Sequence, residues 1–214
     1  MSKGGDIKYD IVKIIKRMHK GIEKQIFDYL AKHLKPERLE HSYNVAILAV
    51  DLASIYNVNI LKAQIAGLLH DCAKYMTNKE LVNFFKKNNK TLGYFDELIK
   101  FSPYILHSFA GEIIARKKFE IKDRDILNAV RNHTLGRKDM SVLEKIIFVA
   151  DSVSYDRKWK NVKRVRDSAR KDLDKTFLKV LAGKIGYVIN NGMFLYSQTV
   201  ETWNWYVLNN KKDS

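Results

Sequence analysis

The chain has 214 residues, 46% of them hydrophobic, which excludes a disordered protein and fits one domain with or without an extension. The formal net charge is +15, from 39 basic and 24 acidic residues. This charge favours nucleotides, nucleic acid or acidic membranes as partners, although surface lysines alone also explain it. Because Cys72 is the one cysteine, no internal disulfide can form, which fits a reducing cytoplasm.

Targeting and membrane signals are not expected. No apolar run reaches the roughly 18 residues of a membrane span. Charges recur every few residues through Lys35, so a signal-peptide core is not expected either.

Helical spacing recurs along the chain, and the only prolines are Pro36 and Pro103, so we predict an all-α protein. Residues 1–6 are expected to form a disordered start. Residues 7–34 predict an amphipathic basic helix that packs on the main domain, with a helix on a membrane surface as the alternative. The predicted organisation has three parts: an N-terminal extension over residues 1–35, a main domain over residues 36–210, and a frayed tail over residues 211–214.

Capping residues place several helix starts in the main domain. Asn59 is a predicted N-cap, and the pairs Thr77–Glu80 and Ser141–Glu144 have the spacing of capping boxes. A loop is expected at residues 88–93, and residues 157–166 form a basic stretch. The predicted helical segments cover residues 36–53, 60–74, 78–87, 103–119, 123–132, 142–151, about 171–191 and 197–210.

The segment at residues 60–74 carries His70 and Asp71 side by side, although it is apolar on nearly every face. A helix that is apolar all round is a buried helix. A buried carboxylate must be paired, protonated or bound to a metal, because an isolated buried charge is strongly unfavourable. The dyad is therefore expected to hold a cation. Cys72 follows directly and is expected to be a small core residue.

Four more polar residues interrupt apolar helical segments: His41, His107, His133 and Asp151. Crossing helices of a bundle can bring such scattered residues together. Imidazoles and carboxylates suit zinc, iron or manganese, and three or more such ligands with positions left for water make a catalytic site. A single buried histidine is more often a hydrogen-bonded core residue, so the prediction depends on the combination.

The order His41, His70–Asp71, Asp151 resembles the HD superfamily of metal-dependent phosphohydrolases. Over about residues 36–208 the sequence is similar to the YqeK family within it. The strings that carry the resemblance are Arg38-Leu-Glu-His41, Leu68-Leu-His-Asp-Cys-Ala-Lys74, Ile105-Leu-His107, Val130-Arg-Asn-His-Thr-Leu-Gly-Arg137 and Met140-Ser-Val-Leu-Glu-Lys-Ile146. Two features depart from the family pattern: the longer start, and Asp151-Ser-Val-Ser-Tyr-Asp-Arg157, which lacks a Glu-Pro pair.

The resemblance implies an all-α HD-domain bundle that cleaves diadenosine tetraphosphate symmetrically into two ADP through metal-activated water. It implies one or two divalent transition-metal ions, iron in the first place, with manganese or another divalent ion as the alternative. The implied ligands are His41, His70, Asp71 and Asp151, while His107 and His133 complete a second metal site or contact phosphate. A dinucleoside polyphosphate is the expected substrate, nucleic acid is not an expected partner, the expected location is cytoplasmic, and a homodimer is left open.

Several cationic or hydroxyl side chains are predicted to meet the phosphates. Lys74 follows Asp71 by three residues, so we expect it on the same helix face, joining His70 and Asp71 in catalysis. The alternative is a lysine that only pairs with Asp71. The arginine fork suits phosphate oxygens. The remaining predicted substrate-binding residues are Arg38, His107, His133, Thr134, Arg137 and Arg157.

Two other functions remain open at this point. The same metal ligands would serve a 5′-nucleotidase acting on mononucleotides. A basic helical domain around a structural metal would instead bind RNA, which the net charge favours. Against RNA binding, Trp159, Trp203 and Trp205 fall at helical spacing rather than forming a platform for stacked bases.

Overall fold

The structure is a computed structural model that describes residues 21–88 and 95–210. The predicted disordered start, the first part of the basic helix, most of the predicted loop at residues 88–93 and the predicted tail lie outside these ranges. Within them the chain forms eleven α-helices, one 3₁₀ turn and no strand, so the all-α prediction is confirmed. The helices are α1 (Ile22–His33), α2 (Pro36–Ile55), α3 (Ile60–Leu69), α4 (Asn78–Asn88), α5 (Asp96–Phe101), α6 (Leu106–Lys118), α7 (Arg124–Asn132), α8 (Val142–Val153), α9 (Val162–Ala169), α10 (Leu173–Asn190) and α11 (Ser197–Asn210), with the 3₁₀ turn at Pro103–Ile105.

The centre of the bundle is built from α2, α3, α7 and α8, with α6 packed on α7 and α10 packed on α8. The closest approach is between α2 and α3, where a Cβ atom added to Gly67 would lie 2.6 Å from the Cα atom of Ala46. Glycine at this position therefore lets two buried helices pack with their backbones almost in contact. In the described residues, no helix has the length and apolarity needed to cross a bilayer.

Helix α1 packs on the main domain. Ile26 and Leu30 are fully buried, and α1 contacts both α2 and α3. For the described part of the extension, this packing favours the docked helix over the helix on a membrane surface.

The predicted caps are observed. Asn59 accepts a hydrogen bond from the Lys62 amide, and Ser141 and Glu144 form a complete capping box at the start of α8. Thr77 and Glu80 exchange the same pair of bonds at the start of α4. The short helices α5 and α9 were not predicted, because α5 has six residues and α9 lies partly in the basic stretch.

The helix that carries the dyad is shorter than predicted. It ends at Leu69, His70 is its C-cap, and residues 70–75 form turns rather than helix. The His70 side chain donates to the carbonyl of Gly67, and this bond supplies a partner for a carbonyl at the helix end. Apolar periodicity does not reveal such an end, because the following residues, Cys72 and Ala73, are also buried. Lys74 is therefore placed by a turn and not by a helix face.

Candidate metal centre

Different parts of the bundle deliver the predicted polar residues to one place. Helix α2 supplies His41, the turn after α3 supplies the dyad, the first turn of α6 supplies His107, the residue after α7 is His133, and the end of α8 supplies Asp151. All are buried except Asp151, whose side chain is 16% exposed. Crossing helices thus bring together polar residues that lie far apart in the sequence.

Three of the histidines share one arrangement. In each, the Nδ1 atom lies within hydrogen-bonding distance of the carbonyl oxygen three residues earlier: 2.7 Å for His70, 2.6 Å for His107 and 2.8 Å for His133. A carbonyl oxygen can only accept, so each Nδ1 carries the proton. Each Nε2 atom therefore presents a lone pair, as metal-binding histidines do.

The Nε2 lone pairs of His107 and His133 lie close to the Asp71 carboxylate, and these acceptors outnumber the N–H and O–H donors described among them. The Nε2 atoms of His107 and His133 are 3.1 Å apart, and they lie 3.1 and 3.4 Å from Oδ1 of Asp71. Thr134 Oγ1 lies 3.1 Å from Nε2 of His133 but has one hydrogen to give. The Nε2 atom of His70 is buried and has no hydrogen-bond partner within residues 21–88 and 95–210. Acceptors that face one another in this way fit a cation between them.

Burial keeps two of these histidines neutral. It lowers the pKa of His70 to about 3 and the pKa of His107 to about 4, with the positive charge of Lys74 contributing to the shift at His107. A neutral imidazole is the form that binds a metal. The Cys72 thiol is buried and burial raises its pKa, so it stays protonated and belongs to the core, as predicted.

Two groups of side chains are close enough to hold a metal ion, and they share Asp71. The first consists of His41, His70 and Asp71, and the second of Asp71, His107 and His133. Within each group the ligand atoms lie within 4.8 Å of one another. Either group could hold a divalent ion, and both would use the Asp71 carboxylate.

Asp151 adjoins the first group. Its Oδ1 atom lies 3.2 Å from Nε2 of His41 and 3.9 Å from Nε2 of His70. A carboxylate near the C-terminal end of a helix is disfavoured by the helix dipole. Burial also raises the pKa of Asp151, but Lys184 and the hydrogen bond with His41 outweigh this and hold the pKa well below its usual range.

A residue that sequence reasoning missed orients His41. The Nδ1 atom of His41 lies 2.8 Å from Oδ2 of Asp156, and its Nε2 atom faces Asp151. Burial lowers the pKa of His41, but the hydrogen bonds with Asp151 and Asp156 outweigh it and raise the pKa to about 9. Asp156 lies in the loop that departs from the family pattern, so the altered loop still supplies an acid to the site.

Arg157 and Lys184 hold the two oxygens of Asp151. The Nη2 atom of Arg157 lies 2.8 Å from Oδ1, and the Nζ atom of Lys184 lies 3.3 Å from Oδ2. Sequence reasoning missed Lys184, because a lysine in an otherwise amphipathic helix resembles an ordinary surface residue. No sequence signal available without the fold distinguishes it from its neighbours.

Of the other predicted phosphate-binding residues, Arg38, Thr134 and Lys74 lie near Asp71 or the histidines, whereas Arg137 does not. The half-exposed side chain of Arg38 lies 3.3 Å from Oδ2 of Asp71. The Oγ1 atom of Thr134 lies beside Nε2 of His133. Lys74 is half-buried, and Arg38 is the cation that the described residues pair with Asp71. Arg137 is held by both oxygens of the buried Glu144, at 2.7 and 2.6 Å, and the structure does not bring it to the centre.

A cavity of about 910 Å³ opens beside the centre. Its polar end is formed by Thr134, Asp151, Arg157 and Lys184. The rest of the wall is largely apolar and includes the aromatic side chains of Tyr104, Trp159, Tyr187, Phe194 and Tyr196. A charged end joined to an aromatic region suits a ligand that combines phosphate with an aromatic base.

Comparison with known proteins gives a consistent result. The HD domain family matches residues 38–156. A crystal structure of a predicted HD superfamily hydrolase involved in NAD metabolism, from Clostridium acetobutylicum, superposes with a TM-score of 0.82 and 41% sequence identity. That alignment covers 87% of this chain and 97% of the other.

Three curated relatives carry the name symmetrical bis(5′-nucleosyl)-tetraphosphatase, and two of them are more than 30% identical to this chain. The protein from Halalkalibacterium halodurans is 34% identical over 84% of this chain and 94% of its own length. The protein from Staphylococcus aureus is 33% identical over 83% of this chain and 91% of its own length. The similarity therefore extends over nearly the whole of both relatives.

Proposed function

The chain belongs to the HD domain family, and from this membership we propose that it is a metal-dependent hydrolase that cleaves diadenosine tetraphosphate symmetrically into two ADP. The names of the three curated relatives support the substrate and the symmetrical cleavage. The observation that carries the proposal is the meeting of buried imidazoles and carboxylates in two groups that share Asp71. A mononucleotide 5′-nucleotidase and an RNA-binding module lack comparable support.

We propose His41, His70, Asp71 and Asp151 as ligands of a divalent ion. The Nδ1 bonds of the histidines, together with the cations on Asp151, orient these side chains before any ion binds. A divalent ion held there would lower the pKa of a water molecule and neutralise charge on a phosphoryl oxygen.

His107 and His133, with Asp71, are the proposed ligands of a second ion. If one ion binds, their alternative role is to contact a phosphate oxygen. Mixed nitrogen and oxygen ligands, with the thiol of Cys72 excluded, suit iron or manganese. We propose iron as the native ion on the strength of the family resemblance.

The surrounding cations are proposed to bind the tetraphosphate bridge. Arg38 and Lys74 lie on the side of Asp71, and Arg157 lies on the side of Asp151. Thr134 supplies a hydroxyl group beside His133, where it also lines the cavity. Phosphoryl transfer depends mainly on positioning and electrostatics, which is what such a set provides. The predicted phosphate contact of Arg137 lacks support from the geometry, because Glu144 already occupies its guanidinium group.

The aromatic part of the cavity is proposed to receive a nucleoside of the substrate. Its walls offer stacking surfaces without charge, whereas the phosphates are drawn to the cationic end. The dinucleoside polyphosphate would thus lie with one base among the aromatic side chains and its phosphates at the metal centre. A cytoplasmic location and a homodimer remain proposals from the sequence.

Product analysis tests the proposed function. The purified protein is depleted of metal, reloaded with ferrous or manganous ion, and incubated with diadenosine tetraphosphate, and the products are separated by chromatography. ADP as the sole nucleotide product is expected from the loaded protein. AMP with ATP would contradict symmetrical cleavage, phosphate release from AMP would favour the 5′-nucleotidase, and salt-dependent RNA binding without hydrolysis would favour the RNA-binding module.

A further inference from the structure

Lys184 is fixed at a junction between three parts of the fold. Its Nζ atom lies 3.3 Å from Oδ2 of Asp151 and 3.1 Å from the main-chain oxygen of His133. It also lies 4.2 Å from the centroid of the Phe148 ring, within the range of a cation–π contact. Helix α10 therefore presents one cation to the end of α8 and to the residue that follows α7.

The ammonium group of Lys184 has bonding capacity left. An ammonium group has three N–H donors, and the two oxygen contacts account for two of them. The side chain is 27% exposed and lines the cavity beside Thr134 and Arg157. The third donor has no oxygen partner among the described residues.

The helix surface next to Lys184 is open. The preceding residue, Gly183, also lines the cavity, and a Cβ atom added there would meet no atom within 4 Å. Glycine inside a helix costs stability relative to alanine, and no close packing against a neighbour requires it here. The bare backbone leaves room for a ligand to approach the lysine.

We propose that Lys184 donates a hydrogen bond to a phosphate oxygen of the substrate, and this assignment rests on the proposed function. Arg157 contacts the same residue, with Nε 2.9 Å from the main-chain oxygen of Asp151 and Nη2 2.8 Å from Oδ1. Lys184 would supply a phosphate contact beside Arg157, on the Asp151 side of the centre, whereas Arg38 pairs with Asp71. By this assignment, Lys184 touches the substrate and does more than position Asp151.

The test uses the full-length, metal-loaded protein with Lys184 replaced by methionine. Lys184→Met keeps an unbranched apolar side chain and removes the charge. Bound manganese, the Kd for ADP, and kcat and KM for diadenosine tetraphosphate are measured in parallel. The matched control is Lys175→Ala, which removes an exposed lysine from the same helix.

Lys184→Met is expected to retain its manganese, to bind ADP about tenfold or more weakly, and to lose at least as much in kcat/KM, because it lacks a charged hydrogen bond to phosphate. Lys184→Arg should recover most of both losses, and Lys175→Ala should match the wild type. Lys184→Arg also carries the test if the methionine variant does not fold, since the assignment predicts near wild-type ADP binding for it.

Unchanged ADP affinity with lost manganese would overturn the assignment, since Lys184 would then only position Asp151. Kinetics and ADP affinity equal to those of Lys175→Ala would overturn it as well. Wild-type protein that leaves diadenosine tetraphosphate intact would contradict the proposed function, and this assignment with it. Failure of the variant and failure of the function are therefore separate results.

Discussion

At the scale of single residues, hydrogen bonds to main-chain carbonyls determine what the histidines can do. In each bond Nδ1 carries the proton and donates it to the carbonyl oxygen. The Nε2 lone pair is therefore free of a proton and is directed at Asp71 or its neighbours. The His70 imidazole contributes the most isolated of these lone pairs, because its Nε2 atom is buried and finds no hydrogen-bond partner in the part of the chain that the structure describes. A ligand nitrogen in this position gains a partner only when a cation binds.

His70→Ala should therefore lose metal and activity while the chain stays helical. We expect hydrolysis to fall by about a hundredfold or more, since removing even an outer partner of a ligand costs about 10–100-fold. Metal analysis, circular dichroism and ADP formation check this. His33→Ala is a suitable control, because His33 packs between the rings of Tyr29 and Tyr75 and belongs to neither group of candidate ligands. Full activity in a metal-depleted His70→Ala protein would refute the site.

Lys74→Ala should keep its metal and bind substrate more weakly. The structure pairs Asp71 with Arg38, at 3.3 Å, so removing Lys74 is expected to leave the ligands in place. KM for diadenosine tetraphosphate should rise about tenfold, as for the loss of a charged hydrogen bond. Steady-state kinetics with metal analysis measure both effects, and unchanged kinetics would remove Lys74 from the substrate contacts.

At the scale of helices, the close packing of α2 against α3 helps to hold the residues of the metal centre in position. Gly67 permits this approach, and its carbonyl also orients His70. Gly67→Ala should destabilise the fold by about 1–3 kcal/mol through overpacking against Ala46. Urea unfolding measures the change.

Gly186→Ala is the matched control for Gly67→Ala, because an added Cβ atom in α10 meets nothing within 4 Å. We expect this control to be neutral or to stabilise by about 0.5–1 kcal/mol, the helix-propensity difference between glycine and alanine. Equal unfolding midpoints for the two variants would show that the α2–α3 approach is not tight.

Patterns within a few neighbouring residues were enough to predict several helix starts and buried faces. The N-cap Asn59 marked the start of α3, capping pairs marked the starts of α4 and α8, and the pattern of apolar residues marked the buried faces. The end of α3 was predicted wrongly, because a side-chain bond from His70 and not a change in hydropathy terminates it. Asp156 and Lys184 escaped prediction because only packing brings their elements to Asp151. The convergence of the histidines was predictable because charged and polar residues in apolar helices need partners.

At the scale of the whole molecule, the net charge of +15 attracts anionic substrates towards a site with several cations. The same molecule buries a group of neutral histidines, which makes its stability depend on pH. In the folded protein the pKa of His70 is about 3 and that of His107 about 4, whereas the unfolded chain has the usual value near 6.5.

The metal-free protein should lose stability as the pH falls from 6.5 towards 4, because the unfolded chain then binds up to two more protons than the folded chain. His41 acts in another range: its pKa of about 9 adds stability that is fully present below 6.5 and is lost as the pH rises through 9. Urea midpoints across this range test the prediction. A midpoint that stays constant or rises on acidification would contradict it.

The most direct measurement of the central claim is a titration of the metal-depleted protein with ferrous ion under anaerobic conditions, with ADP release from diadenosine tetraphosphate followed at each step. We expect no turnover without the ion, a rise in rate with bound iron that saturates at one or two ions per chain, and ADP as the only nucleotide released. ADP release at the full rate from protein free of metal would contradict the account.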